Sequence, residues 1–385
     1  MNEKATSLID IFNLFTPKPL TFKQRAFYQK TASVRDGSSY EFHDYLFKHI
    51  KESNTHSRLL VIGHGGCGKS TELQMLISKL SYDDIPSINV EARDDLDLYN
   101  FTYIDLFILI VERMVQYASD KKLKINKKIL LAFQTALSTK TTQEYWDKDF
   151  MIGIDAEISA SATVFFLKAI AKITSSLKMA SGLKEELRQE IKPRIYDIIE
   201  ALNALIEHLN EQVSHPIVII IDGLEKCRQE CVRKLFVEDI ASISAINAHL
   251  VIACPIAVYR SADAAGLSSY FISPVVIPMI RTHNQDGSNY QDGIDVIREL
   301  ILKRADISFF EEGVLEETIV KSGGSLRDTC YILSNSAFEA HMRGSYSIDM
   351  DTLKYTLQKY VSEVFLRIHD IYIATSQISI LIIVV

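Results

Sequence analysis

The feature that most constrains this chain is a phosphate-loop pattern. Residues 63–70 read Gly-His-Gly-Gly-Cys-Gly-Lys-Ser, with an apolar run before them and helical apolar spacing after them. Strand, glycine loop and helix is the setting that distinguishes a phosphate site from a chance glycine-rich loop. Glycines let successive backbone N–H groups turn toward phosphate oxygens, and the helix N-terminus adds partial positive charge. We therefore predict a nucleotide site formed by Gly63, His64, Gly65, Gly66, Cys67, Gly68, Lys69, Ser70 and Thr71.

Two side chains of this loop have predicted chemical roles. Lys69 is expected to reach the β- and γ-phosphates, and the Ser70 hydroxyl is expected to ligate Mg²⁺. The loop thus predicts ATP and Mg²⁺ as cofactors.

A second informative site lies at 215–226, which reads His-Pro-Ile-Val-Ile-Ile-Ile-Asp-Gly-Leu-Glu-Lys. Consecutive β-branched residues predict a strand buried on both faces, as in a parallel sheet. Asp222 ends that strand, where open α/β sheets bind ligands, and it is the candidate Walker B residue that holds Mg²⁺. Glu225 is the candidate for polarising the attacking water. The alternative for Asp222 is a turn or cap residue after a strand.

Further strands are predicted at 87–92 and 248–254, so the predicted fold class is α/β, a P-loop NTPase with a parallel sheet. The strand at 248–254 ends in Cys254 and Pro255, which places no polar sensor there. Arg260 and Arg281 are candidates for an arginine that reaches a neighbouring subunit, and each is equally consistent with an ordinary surface position.

The predicted domains are an N-terminal segment at 1–57, a P-loop core at 58–290 with a helical insertion at about 120–210, an all-α lid at 291–367, and an apolar tail at 368–385. Within the insertion, alternation at 153–164 favours a half-exposed strand or hairpin. The apolar run of the tail is shorter than the ~20 residues of a spanning helix. Its β-branched content suits a buried strand of a further element, and a membrane anchor is the disfavoured alternative.

Composition narrows the class of protein without deciding it. The net charge of −7 gives no general attraction to nucleic acid or an anionic membrane, although a basic run at 121–128 leaves a local contact surface open. Five scattered cysteines favour free thiols in a reducing, cytoplasmic compartment. Cys227 and Cys231 lie four residues apart, and without partner ligands they are interpreted as ordinary thiols.

These motifs together resemble AAA+ ATPases of the initiator group and STAND-like bacterial ATPases. More closely, residues 63–73 resemble bacterial P-loop ATP-binding proteins whose loop reads G-H-x-G-C-G-K-S-T-E-L. The stretches at 94–98, 103–106, 278–280 and 323–328 are similar as well, and the resemblance covers about residues 25–365.

The resemblance implies several roles. Arg327, in the Gly-Gly-Ser-Leu-Arg-Asp stretch that opens a helix with Ser325 as its cap, takes the lid-arginine role toward the γ-phosphate. Asp222 and Glu225 are spaced as in STAND and KAP-like proteins rather than adjacent, which together with the missing sensor implies slow hydrolysis. Relatives often act as switches in bacterial anti-phage systems. ATP rather than GTP follows from the resemblance, since no guanine-reading Asn-Lys-x-Asp pattern is present.

Three functions remain open from the sequence. The first is an ATP-hydrolysing switch that forms a homo-oligomer and controls an effector protein. The second is a DNA-binding initiator or loader, which the acidic charge balance disfavours. The third is a scaffold that binds nucleotide structurally.

Overall fold

The computed structural model describes residues 3–146, 159–179 and 182–374. Its contacts divide the chain into two compact units. One, called here the helical unit, comprises residues 1–39, 66–68 and 279–385, and the other, called the sheet unit, comprises 40–65 and 69–278. These contact-defined units are discontinuous in sequence, whereas the predicted domains are continuous ranges, so the units do not test the predicted boundaries. The boundaries stay predictions.

The sheet unit contains a five-stranded sheet of order β2-β3-β4-β1-β5, and every pair of neighbours is parallel. The strands are β1 (Arg58–Gly63), β2 (Ser87–Glu91), β3 (Val218–Asp222), β4 (His249–Pro255) and β5 (Ile272–Val276). Every residue of β3 is buried, as expected for a strand covered on both faces, whereas the edge strand β2 alternates. The predicted α/β parallel sheet is confirmed.

Along the chain, helices lie before, between and after the strands. In chain order they are α1 (Leu8–Leu14), α2 (Ala32–Arg35), α3 (Phe42–Glu52), α4 (Lys69–Tyr82), α5 (Ala92–Asp95), α6 (Tyr103–Asp120), α7 (Lys127–Leu137), α8 (Ser159–Lys178), α9 (Gly182–Ile191), α10 (Ile195–Asn210), α11 (Gln229–Val237), α12 (Ile240–Ser244), α13 (Ile256–Tyr259), α14 (Gln291–Leu302), α15 (Val314–Lys321), α16 (Leu326–Met342) and α17 (Met350–Ala374). Short 3₁₀ turns occur at Phe22–Phe27, Gln143–Tyr145, Lys192–Arg194, Leu224–Lys226, Ala262–Ser269 and Ile307–Phe309.

The helices between β2 and β3 share one apolar core with the sheet. A buried ionic network anchors α9 to the segment that leads into α6. Lys184 Nζ lies 2.6 Å from Asp97 Oδ2, and Arg188 Nε donates to Asp105 Oδ1 at 3.0 Å. Arg188 also donates to the carbonyl of Asn100 at 2.8 Å. The insertion is therefore part of the sheet unit rather than an appended module.

The predicted strand or hairpin at 153–164 is wrong where the structure describes it. Residues 159–164 belong to α8, and 153–158 lie outside the described residues. Ala162, Phe166, Ala169 and Ile173 are all buried, at helical spacing. The alternation came from small Ala and Ser residues, which fit a helix and lack the side chains that stabilise a strand.

The helical unit packs α1, α14, α15, α16 and α17 around its own apolar core. Ser334 on α16 donates a hydrogen bond to the Phe12 carbonyl at 2.7 Å, which ties α1 to α16. Ser325 caps α16, as predicted, by accepting the Asp328 amide at 3.3 Å.

Among the helices that the structure describes, none is both long and apolar enough to cross a membrane. Residues 371–374 of the predicted apolar tail belong to α17, so a strand is wrong for them. The remainder, 375–385, lies outside the described residues.

Candidate functional site

The phosphate loop joins β1 to α4, at the carboxyl edge of the sheet. β1 lies between β4 and β5, and α4 begins at Lys69, so the loop amides precede a 14-residue helix. Gly66 and Gly68 have φ of +88° and +104°, values that a residue with a Cβ adopts only under strain. These two glycines are therefore the ones that the loop conformation requires.

Lys69 is folded back onto its own loop. The residue is 4% exposed, and Nζ donates to the carbonyl oxygens of Gly63 and His64, each at 3.0 Å. Two of its three ammonium protons are used in this way. The lysine is thus held at the loop that is predicted to bind phosphates.

Asp222 ends β3 and is 7% exposed. Burial raises the pKa of its carboxyl, a hydrogen bond from the Ser70 side chain opposes that rise, and the charges of Glu225 and Glu91 add to it. Oδ1 is buried and has no hydrogen-bond partner within the described parts of the chain. The structure thus brings together the two predicted Mg²⁺ ligands, Ser70 and Asp222.

Glu225 lies in the 3₁₀ turn Leu224–Lys226 that follows β3. Its Oε2 is a second buried carboxylate oxygen with no partner in the described portion of the protein. Unsatisfied buried carboxylate oxygens are rare and commonly mark a place for an ion or water.

This donor set fits Mg²⁺. In the described ranges no group of three His, Cys, Asp or Glu residues has the geometry to hold a metal ion. Mg²⁺ needs no such cage, because it usually takes one or two protein oxygens together with substrate phosphates and waters. Ser70 and Asp222 supply protein oxygens of that kind.

Sequence reasoning missed two residues of this edge, Glu91 and Lys226. Glu91 ends β2 and is paired in register with Asp222, and its Oε1 lies 3.1 Å from Lys226 Nζ. The signal that could have found Glu91 is its place at the carboxyl end of a predicted parallel strand.

Arg327 lies in the first turn of α16, and its side chain is exposed. Its amide nitrogen is 3.4 Å from the carbonyl oxygen of Gly66, which belongs to the same unit. A Cβ at Gly66 would lie 2.5 Å from Ser325 Oγ. The start of α16 therefore requires glycine at that loop position, while the role of the Arg327 side chain stays a prediction.

The other predicted positions have simpler surroundings. Cys254 at the end of β4 is fully buried, and burial raises the pKa of its thiol to about 12, so it is a poor polar sensor. Burial likewise raises the pKa of Cys227 to about 12. Arg260 and Arg281 are both exposed, and the Arg281 guanidinium lies over the Tyr290 ring at 4.7 Å.

A parallel sheet with a phosphate loop after β1 and an aspartate after β3 defines the class of P-loop NTPases. A sequence model of the KAP family P-loop domain matches residues 41–251, more than half of the chain. The chain therefore belongs to the KAP family of P-loop NTPases. Among curated proteins, none matches this sequence significantly.

The similarity to solved structures is weaker than the match to the family model. The Aeropyrum pernix Orc1 protein in complex with DNA is 11% identical, with 93% of this chain and 72% of that chain covered and a TM-score of 0.44. Cdc6p from Pyrobaculum aerophilum is 13% identical, with 91% and 70% covered and a TM-score of 0.42. The Thermotoga maritima RuvB branch migration motor is 10% identical, with 89% and 72% covered and a TM-score of 0.39. At these scores the likenesses say nothing about DNA binding by this chain.

Proposed function

We propose that this protein is an ATP-binding and ATP-hydrolysing switch. The observation that carries the proposal is the cluster at one edge of the sheet unit. There Lys69 is held on the phosphate loop, and the Ser70 side chain forms a hydrogen bond with Asp222. Asp222 and Glu225 each have one buried carboxylate oxygen without a hydrogen-bond partner in the described chain. Phosphoryl transfer needs these parts, namely a phosphate cradle, a metal-binding pair and a residue that orients water.

In the proposed mechanism, the loop amides and Lys69 bind the β- and γ-phosphates. Ser70 and Asp222 would hold Mg²⁺, which when bound would neutralise charge that develops on the phosphates. Glu225 accepts a hydrogen bond from the attacking water and orients it in line with the γ-phosphate. Catalysis is then positioning and charge stabilisation.

Slow turnover suits a switch rather than a motor. The buried Cys254 offers no charged or strongly polar group at the end of β4. We propose that Arg327 responds to the γ-phosphate through its side chain. Its amide already contacts the loop at Gly66, which supports that role.

We further propose that the nucleotide state controls homo-oligomerisation or an effector protein. This part, and a setting in bacterial anti-phage defence, rest on the sequence resemblance alone.

The first test compares wild type, Lys69→Ala and Glu225→Gln. Lys69→Ala should abolish binding of a fluorescent ATP analogue while the variant stays folded without nucleotide, as judged by a cooperative thermal transition. Glu225→Gln should retain binding and lower the turnover number by about 10²–10⁴-fold, the usual contribution of a positioned acid or base.

Lys79→Ala is the matched control, because Lys79 lies on the same helix and is paired with Asp44 away from the loop. It should bind and hydrolyse ATP as wild type does. Tight binding by Lys69→Ala would contradict the site, and full turnover by Glu225→Gln would contradict the role of Glu225.

A further inference from the structure

An ion pair lies directly beside the proposed catalytic cluster. Glu91, the last residue of β2, is in register with Asp222, the last residue of β3, so both carboxylates leave the same edge of the sheet. Lys226 Nζ is 3.1 Å from Glu91 Oε1, and both side chains are about three-quarters shielded from solvent, with 26% and 29% exposed.

Gly223 makes the approach of Glu91 possible. A Cβ at Gly223 would lie 2.1 Å from Glu91 Oε1, which no side chain could tolerate without displacing the carboxylate. Gly223 also has φ of +82°, which favours glycine for a second reason. The Glu91 carboxylate therefore occupies space left by the Asp-Gly step after β3.

The ion pair joins β2 to the turn that carries Glu225. Lys226 is the last residue of the turn Leu224–Lys226, and its amide donates to the Gly223 carbonyl at 3.0 Å. Leu224, at the other end of the turn, is fully buried. The turn is thus fixed at one end by an apolar anchor and at the other by the ion pair.

Glu225 sits between these two anchors. Its Oε2 has no partner in the described residues, whereas Lys226 is paired with Glu91. Lys226 thus pairs with Glu91 rather than with Glu225, whose Oε2 keeps no partner among the described residues. Without Lys226, the carboxylates of Glu91, Asp222 and Glu225 would share one end of the sheet without this counter-charge.

We propose that Glu91 and Lys226 are positioning residues, which clamp the Leu224–Lys226 turn to the end of β2 so that Glu225 is held in its water-orienting position. The inference rests on the proposed ATPase function. It deepens that function, because it explains what holds Glu225 in place. The Oε2 atom of Glu225 makes no hydrogen bond within the described residues that could do so.

The test measures the turnover number, KM for Mg-ATP, affinity for a fluorescent ATP analogue and melting temperature. The variants are Lys226→Met, Glu91→Gln, the double variant and Lys226→Arg. Lys234→Met is the matched control, since Lys234 forms an exposed ion pair with Glu230 on the next helix, N···O 3.4 Å.

Each single variant should lower the turnover number by about 10²-fold, the cost of a misplaced catalytic group. KM and analogue affinity should change by less than about threefold, because phosphate binding is left intact. The double variant should be no worse than either single one, since both remove the same contact. Lys226→Arg should retain most of the wild-type turnover number, and Lys234→Met should behave as wild type.

Other outcomes would overturn the inference. Unchanged turnover in Lys226→Met, or effects that multiply in the double variant, would show that the pair does not position Glu225. Loss of turnover in Glu91→Gln together with unchanged turnover in Lys226→Met would make Glu91 a catalytic residue instead. A wild type that binds ATP without hydrolysing it would overturn the proposed function itself, and with it this inference, whereas active wild type with unaffected variants would overturn the inference alone.

Discussion

At the scale of single residues, the site combines two glycines in a loop conformation that strains any other residue with one carboxylate whose ionised form burial disfavours. Gly66 and Gly68 are required by backbone conformation, while Asp222 is a carboxylate whose burial raises its pKa. Functional groups of this kind commonly reduce the stability of the protein that carries them.

Asp222 should therefore be replaceable with a gain in stability. A raised folded-state pKa means that its contribution favours folding below its unfolded pKa and is lost as pH rises through the folded pKa. At pH 7–8 without nucleotide, Asp222→Asn should melt at a higher temperature than wild type, and the difference should shrink as the pH is lowered toward 4. Thermal melting over that pH range provides the measurement.

The same variant should lose Mg²⁺-dependent ATP turnover. Asp197→Asn serves as the control, because Asp197 is exposed on α10. This substitution should change the free energy of unfolding by no more than about 0.5 kcal/mol. If Asp222→Asn melted below wild type at pH 8, the carboxylate would be a net stabiliser and the interpretation of its burial would be wrong.

At the scale of elements, the insertion is held to the sheet unit by buried charge as well as by apolar packing. The Arg188 side chain is 6% exposed and contacts Asp105, Glu185 and Asn100. Asp105 is also the N3 residue of the capping box of α6, in which its carboxylate accepts the amide of the N-cap residue Thr102 at 2.8 Å. One carboxylate therefore serves both the helix start and the contact to α9.

Removal of one partner from this network should be costly. Arg188→Met should lower the free energy of unfolding by about 3–5 kcal/mol, because it leaves a buried carboxylate without its counter-charge. The double variant Arg188→Met with Asp105→Asn should recover much of that loss, since Asn removes the charge and keeps an acceptor for the Thr102 amide. Urea unfolding measures both values.

Recovery in the double variant distinguishes a charge effect from simple loss of packing. If the two substitutions instead added, the network would be a set of independent hydrogen bonds. Arg228→Met is a useful control, because its ion pair with Glu230 is exposed on both sides and should contribute little.

At the scale of the whole molecule, the open question is what the nucleotide controls. Wild type and Glu225→Gln should be compared by size-exclusion chromatography with light scattering, with and without Mg-ATP. A nucleotide-gated oligomer should gain mass with ATP, and Glu225→Gln should hold the larger form because it binds without hydrolysis. Unchanged mass in both would place the nucleotide effect within one subunit.

The same preparations test the DNA-binding alternative. Phosphate contacts make nucleic-acid affinity fall steeply with salt. A salt-dependent shift of duplex DNA at micromolar protein would favour an initiator-type role, and its absence would leave the switch as the better proposal. The net charge of −7 favours the second outcome.

Local sequence determined the phosphate loop, the buried strand that ends at Asp222, the cap at Ser325 and the α/β class. Each is set by a few adjacent residues, through backbone conformation or hydrophobic periodicity. The same reasoning failed at 159–164, where alternating small residues have no strong local preference and packing of Phe166 and its helix neighbours decided the outcome.

Only the tertiary structure decided which charged groups meet. Glu91 and Lys226 are 135 residues apart, and Arg188 and Asp105 are 83 apart, so nothing in the local pattern of either residue indicates its partner. Strand order and helix packing bring them together. The sequence by itself therefore determined the chemistry of the phosphate loop and of Asp222, while the folded sheet decided what surrounds that chemistry, because parallel strands from distant parts of the chain end at one common edge.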